Sequence, residues 1–132
     1  MVSLIAVLSS GKGTWGHVSS LMNSNKWKKV YLICNEFAYE NFKIDTSKVL
    51  KLKFDEKNPE KSLEKLSLFF KKEIKDFEIA LNLVSGTGIE HMMLISSLLK
   101  AGLGIRFVYI KNGEIKEFEI LNEKFIPEDY VY

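Results

Sequence analysis

Hydrophobic and polar positions alternate along this chain in two rhythms that take turns. Val2–Leu8 and Val30–Cys34 are near-continuous apolar runs, the signature of strands covered on both faces of a parallel sheet. Between them, Thr14 to Asn23 carries Trp15, Val18, Leu21 and Met22 at helical spacing. Glu36–Phe42 predicts a short second helix, and Lys48–Phe54 alternates as a third strand. Asn58 is a natural N-cap, Pro59 suits the first helical position and Glu60 complements the helix dipole. Leu63, Leu66, Phe69, Phe70 and Ile74 then form one apolar stripe, while Lys61, Lys65, Lys72 and Lys75 read as a solvated face. Phe77–Val84 predicts a buried fourth strand, and Gly88 to Lys100 a fourth helix closed by Gly102 and Gly104. Ile105–Ile110 and Ile115–Ile120 flank an Asn112-Gly113 dipeptide, a strong hairpin signal. The tail, Asn122 to Tyr132, is expected on the surface or at a subunit contact.

This order, βαβαβαβα and then a hairpin, predicts an α/β fold: a Rossmann-like three-layer sandwich around a mostly parallel sheet, with a C-terminal β-hairpin. The first strand should be central, with strands two and three to one side and strand four to the other. Open sheets of this kind bind ligands beyond the carboxyl ends of the strands, at the point where the strand order reverses. Here that point lies between strands one and four.

Composition narrows the class. The 132 residues argue for a single domain over 1–132, and 46% hydrophobic with 27% charged residues describes an ordinary globular chain. Cys34 is the only cysteine, which excludes an internal disulfide, fits a reducing compartment and reads as a small buried hydrophobe. A net charge of +2 implies no broad nucleic-acid footprint, so direct duplex DNA binding is not expected. No apolar run approaches the ~20 residues of a membrane span. The start lacks the basic region of a signal peptide, and a cytoplasmic protein is expected.

Two glycine turns carry the candidate chemistry. The first reads Ser9-Ser10-Gly11-Lys12-Gly13-Thr14-Trp15-Gly16-His17, the second Asn82-Leu83-Val84-Ser85-Gly86-Thr87-Gly88. Each leaves a buried strand and opens a helix, so each can aim backbone N–H groups at an anion. Lys12 supplies a point charge. Both turns fall at the same crevice, which predicts a phosphate-bearing ligand.

Gly11-Lys-Gly13-Thr-Trp-Gly16 matches the dinucleotide fingerprint, and Glu36 stands twenty residues beyond Gly16. A nicotinamide dinucleotide or mononucleotide regulatory module, without catalysis, is therefore one reading. A Walker A loop is excluded: Ala6 holds the leading glycine's place and Gly13 that of the Ser or Thr after the lysine.

In element order, in both turns and in the terminal hairpin, the chain resembles the CARF domains of type III CRISPR systems over roughly Val2 to Ile120. Ser9, Ser10, Gly11, Gly13 and Thr14 lie where that family has its first ligand loop. Asn82, Gly86 and Thr87 match its second, which commonly runs Asp/Asn, apolar, Thr, Gly, Gly, Thr, Lys; Val84, Ser85 and Gly88 depart from it. The resemblance implies a homodimer binding a cyclic oligoadenylate across its two-fold axis, as a stand-alone antiviral sensor or a metal-independent ring nuclease. Effector domains are not expected: Arg106 lacks the following histidine of a HEPN motif, and twelve residues after Ile120 are too few for a winged helix. The resemblance implies no cofactor. If the ring is cut, Ser10 and Lys12 are the implied catalytic residues.

Trp15 either stacks on a base or packs in the core or a dimer contact. Glu36 either holds a ribose hydroxyl or caps the second helix. His17 and His91 each stand early in a helix, for base contact or general-acid work on one reading and a capping or surface role on the other. Neither has the neighbours of a metal site. The ligand-binding set is thus Ser9, Ser10, Gly11, Lys12, Gly13, Thr14, Trp15, Glu36, Asn82, Ser85, Gly86, Thr87, Gly88 and His91.

Overall fold

The computed structural model describes residues 2–24, 26–44 and 47–118. Six strands and four helices follow one another as β1 (Leu4–Leu8), α1 (Trp15–Met22), β2 (Val30–Cys34), α2 (Glu36–Asn41), β3 (Val49–Lys53), α3 (Pro59–Glu73), β4 (Glu78–Asn82), α4 (Gly88–Lys100), β5 (Gly104–Lys111) and β6 (Glu114–Glu117). They form one sheet of order β3-β2-β1-β4-β5-β6, in which only the β5–β6 pair is antiparallel. This is the expected Rossmann-like sandwich with its terminal hairpin.

The alternation of side chains across the sheet builds two cores. Leu4, Ala6 and Leu8, with Leu32 and Cys34, pack under α1 and α2 through Val18, Leu21 and Ala38. Ile5 and Val7, with Ile33, Ile79 and Leu81, pack under α3 and α4 through Leu66, Phe70, Leu94 and Leu98. β1 and β2 are buried at every position, so their unbroken apolar runs have a direct cause: no residue faces water.

The helix ends follow their caps. Asn58 accepts the Lys61 amide at 3.1 Å, with Pro59 in the first turn. At the end of α4, Gly102 takes φ +82°, its amide donates to Leu99 and that of Leu103 to Leu98, the paired bonds of a Schellman motif. Gly104 therefore does not close the helix; it opens β5, where a Cβ would stand 3.3 Å from Glu78 Cβ. Asn112 and Gly113 both have positive φ, 53° and 76°, as a two-residue hairpin turn requires.

Strand limits shift inward from the sequence reading. Phe77, expected inside the fourth strand, is 94% exposed and precedes it. The hairpin's second arm is described only as Glu114–Glu117. Ile120 and the tail from Asn122 lie outside the described residues. Among the described residues no helix is long and apolar enough to cross a membrane.

Candidate functional site

The first turn leaves β1 at Ser9. Gly11 takes φ +99°, a left-handed conformation that glycine adopts without a Cβ penalty. A single 3-10 turn over Lys12–Thr14 then leads into α1. The Thr14 amide donates back to the Gly11 carbonyl at 3.4 Å. The amides of Ser10, Gly11, Lys12 and Gly13 find no internal acceptor among the described residues. These four donors lie on exposed residues, open to an anion.

Asn35, which the sequence reading passed over, organises this turn from the end of β2. Its Nδ2 donates to Ser10 Oγ at 2.9 Å and to Ser9 Oγ at 3.3 Å, and its Oδ1 caps α2 by accepting the Ala38 amide at 2.9 Å. Because Asn35 donates, each serine hydroxyl keeps its own proton for another acceptor. Ser9 is buried and Ser10 exposed, so only Ser10 can offer that proton outward. An Asn directly after a buried strand and before Glu36 was the available signal.

Trp15 belongs to the wall of the turn. Its indole N–H donates to the Ser9 carbonyl at 2.9 Å, and its ring lies 5.9 Å from that of Phe37 and 5.6 Å from that of Phe42. Of its two sequence readings, packing is the one these contacts describe. Lys12 Nζ sits 5.8 Å from the Trp15 ring centroid and 5.7 Å from that of Phe37, a cation held over two aromatic faces. Glu36 is exposed, and its carboxylate lies 4.0 Å from Lys53 Nζ.

The second turn is organised differently. Ser85 is buried, and its Oγ accepts the Ser9 amide at 3.1 Å, tying the two turns together. Gly86 has φ +102°, and a Cβ there would fall 2.7 Å from Val7 Cγ1. Thr87 caps α4: its Oγ1 accepts the Glu90 amide at 3.2 Å, while Glu90 Oε1 accepts the Thr87 amide at 2.9 Å. This reciprocal box places a carboxylate at the helix N-terminus that an incoming phosphate would have to face. His91 Nε2–H donates to the Ser85 carbonyl at 2.8 Å, which closes the turn from beneath. Gly88 remains exposed.

Asn82 and His17 finish the sheet. β4 pairs with β5 only as far as Leu81 and Phe107, so the polar groups of β5 beyond that point need other partners. Asn82 Nδ2 donates to the Val108 carbonyl at 2.8 Å, and the Ile110 amide donates to His17 Nε2 at 3.2 Å. Asn82 Nδ2 also lies 3.2 Å from that ring nitrogen, and its Oδ1 accepts the Val84 amide at 3.3 Å. Asn82 is fully buried and its amide is spent inside the protein. With Nε2 accepting, the His17 proton resides on Nδ1. Burial lowers the His17 pKa. Cys34 is buried, and burial pushes its thiol up to about 12, which leaves it a core side chain.

The fourteen residues named from sequence thus separate. Ser9, Ser10, Gly11, Lys12, Gly13, Thr14 and Trp15 form the first turn, which Ser9 joins to Ser85. Gly86, Thr87, Gly88 and His91 form a second turn, in which the Thr87 amide and the Ser85 carbonyl have internal partners. Asn82 ties the end of β4 to β5 and His17, and Glu36 stands to the side, on the rim of a groove beyond β3. Among the described residues no three His, Cys, Asp or Glu side chains converge as metal ligands would. Fold and site together define a Rossmann-like α/β domain with an open amide array at its switch point. In comparison with known families and with curated proteins, the chain matches none.

Proposed function

We propose that the protein binds a cyclic oligoadenylate at the first glycine turn, in a cleft completed by a second copy of the chain, as a stand-alone sensor or a metal-independent ring nuclease. The observation that carries this is the run of four amides without internal acceptors, Ser10 to Gly13, beside the oriented Ser10 hydroxyl and the Lys12 ammonium. Such donors suit a phosphodiester, whose charge they meet without any rearrangement. A ring with repeated phosphates offers equivalent groups to two equivalent turns, which is the reason for a two-fold partner. Exposed apolar side chains along α4 supply the second copy with a contact: Ile89, Met92 and Leu99 are 60%, 62% and 61% exposed at heptad spacing.

If the ring is cut, a ribose 2′-oxygen attacks the adjacent phosphorus in line. The bond to the 5′-oxygen breaks, a 2′,3′-cyclic phosphate forms, and the proton of the 2′-hydroxyl ends on the departing 5′-oxygen. The turn's part is positioning and charge neutralisation by Ser10 and Lys12. A nicotinamide dinucleotide is the competing ligand, favoured by the Gly11–Gly16 fingerprint and the exposed Glu36 carboxylate twenty residues beyond it.

Thermal shifts with cyclic tetra- and hexa-adenylate, NAD(H) and NADP(H) test the reading, since a ligand bound only by the folded state raises Tm. A rise with a cyclic adenylate alone is expected; a rise with NAD(H) alone replaces the proposal by the dinucleotide module. Lys12→Ala should weaken cyclic adenylate binding by about ten- to hundredfold, the value of a charge-assisted contact of about 1.5–3 kcal/mol, and leave Tm unchanged. Light scattering that finds only monomer, with and without ligand, counts against the shared cleft.

A further inference from the structure

A groove of about 750 Å³ opens beyond the carboxyl end of β3, between that strand and the start of α3. None of the glycine-turn residues lines it; of the ligand-binding residues expected from sequence it includes Glu36 alone, on its rim. Its volume lies within the range of small-molecule sites. The floor is apolar, made by Leu52, Phe54, Leu66 and Phe69, of which Phe54 and Leu66 are buried beneath the surface. Lys57, Lys61 and Lys65 edge it at every fourth position, all exposed. None of the three ammonium groups pairs with a carboxylate among the described residues. Lys53, the fourth lysine of the lining, is matched by Glu36 at 4.0 Å.

The sequence accounts for Lys61 and Lys65 as a solvated helix face, but a solvated face does not require an apolar floor of two phenylalanines and two leucines beneath it. Nor is the groove purely basic. Asp55 and Glu56 also line it, and Asp55 Oδ1 already accepts the Lys57 amide at 2.9 Å. A bare anion would use the lysines and leave the floor wet. A purely apolar ligand would leave the lysines idle. The lining suits a ligand with three properties at once: a flat apolar body for the floor, hydroxyls for the carboxylates, and a short anionic group for the unpaired lysines.

We propose that this groove is a binding site for a nucleoside phosphate, with the base on Leu52, Phe54, Leu66 and Phe69 and the phosphates on Lys57, Lys61 and Lys65. The proposal does not rest on the reading of the glycine turns. A nucleotide here would be a second ligand, one groove away from the amide array.

Isothermal titration of the full chain with ADP, pyrophosphate and adenosine tests it. Saturable ADP binding with a Kd below about 1 mM is expected, with pyrophosphate and adenosine each weaker by about tenfold or more. The double variant Lys61→Gln/Lys65→Gln should weaken ADP by about tenfold or more. Lys72→Gln/Lys75→Gln removes the same charge elsewhere on the surface and should change it less than about twofold. Each of these lysines is exposed, so circular dichroism should find every variant folded. No ADP binding by the wild type overturns the proposal. So does pyrophosphate binding as tightly as ADP, which marks an adventitious anion site. A loss confined to Lys12→Ala moves the nucleotide to the glycine turns and also overturns it.

Discussion

The two glycine turns at the switch point share residue types, follow neighbouring strands and open helices, yet their backbones are differently engaged. In the first, Gly11 turns in open space, with nothing within 4 Å of where a Cβ would stand. In the second, the same construction at Gly86 meets Val7 at 2.7 Å, with Glu90 Oε1 at 3.1 Å and His91 Nε2 at 3.2 Å. Both turns leave amides without internal acceptors among the described residues, Ser10 to Gly13 in the first and Ser85, Gly86, Gly88 and Ile89 in the second, but the second also sets the Glu90 carboxylate in a capping box with Thr87 and holds its Ser85 carbonyl on His91. A glycine that lets a chain approach a ligand and one that lets it approach its own neighbour look the same as letters. What separates them is their surroundings: open space at Gly11, and Val7, the Glu90 carboxylate and His91 at Gly86.

The largest effect expected from this contrast is at the glycines themselves. Gly86→Ala must accommodate both a left-handed φ and a methyl inside van der Waals contact of Val7, and should cost about 3 kcal/mol or more. Gly11→Ala meets only the backbone strain and should cost about 1 kcal/mol. Urea midpoints with unchanged m-values measure both. Equal losses would mean that the second turn relaxes away from β1.

Asn82→Ala comes next. It strips the Val108 carbonyl and the Val84 amide of their partners and leaves His17 with one donor fewer. Buried groups left unpaired cost about 1–3 kcal/mol, and about 2 kcal/mol is expected at this strand end. A loss below 0.5 kcal/mol, on the same order as a surface change, would show that water replaces the amide.

Thr87→Val should lose about 1 kcal/mol through the α4 cap, whereas Thr87→Ser should hold the wild-type stability. This substitution separates a cap from a ligand contact. If cyclic adenylate affinity falls with Val by more than the change in stability implies and recovers with Ser, the hydroxyl serves both.

Much of this was legible in the sequence for a simple reason. A strand buried on both faces leaves an unbroken apolar run, so β1 and β2 could be placed by pattern alone, and the topology followed from their order. Phe77 was misplaced because apolar residues at a strand's start look identical whether they enter the sheet or precede it. The site was legible as two turns but not as two different turns, since the neighbours that crowd the second, Val7 and His91, are recognised only once the chain is folded. Asn35 was missed for the same reason: its amide reaches Ser9 and Ser10 across 26 and 25 residues of sequence. Periodicity carries no information about such a link.

The smallest effect expected is a pH dependence carried by His17, which is only half-buried. Burial lowers its pKa in the folded protein below the ordinary value of 6.5, so the unfolded chain takes up a proton more readily than the folded one. Stability from this group is then fully present above pH 6.5 and declines as the pH falls from there through the lower, folded value. The geometry gives the decline a second cause of the same sign, because a doubly protonated ring can no longer accept the Ile110 amide. Stability measured by urea between pH 7.5 and 5 should therefore fall more steeply in the wild type than in His17→Gln, whose side chain carries no titrating proton. Parallel pH profiles for the two proteins would mean that the imidazole does not hold the end of β5, and that the first turn and the sheet edge are independent of each other.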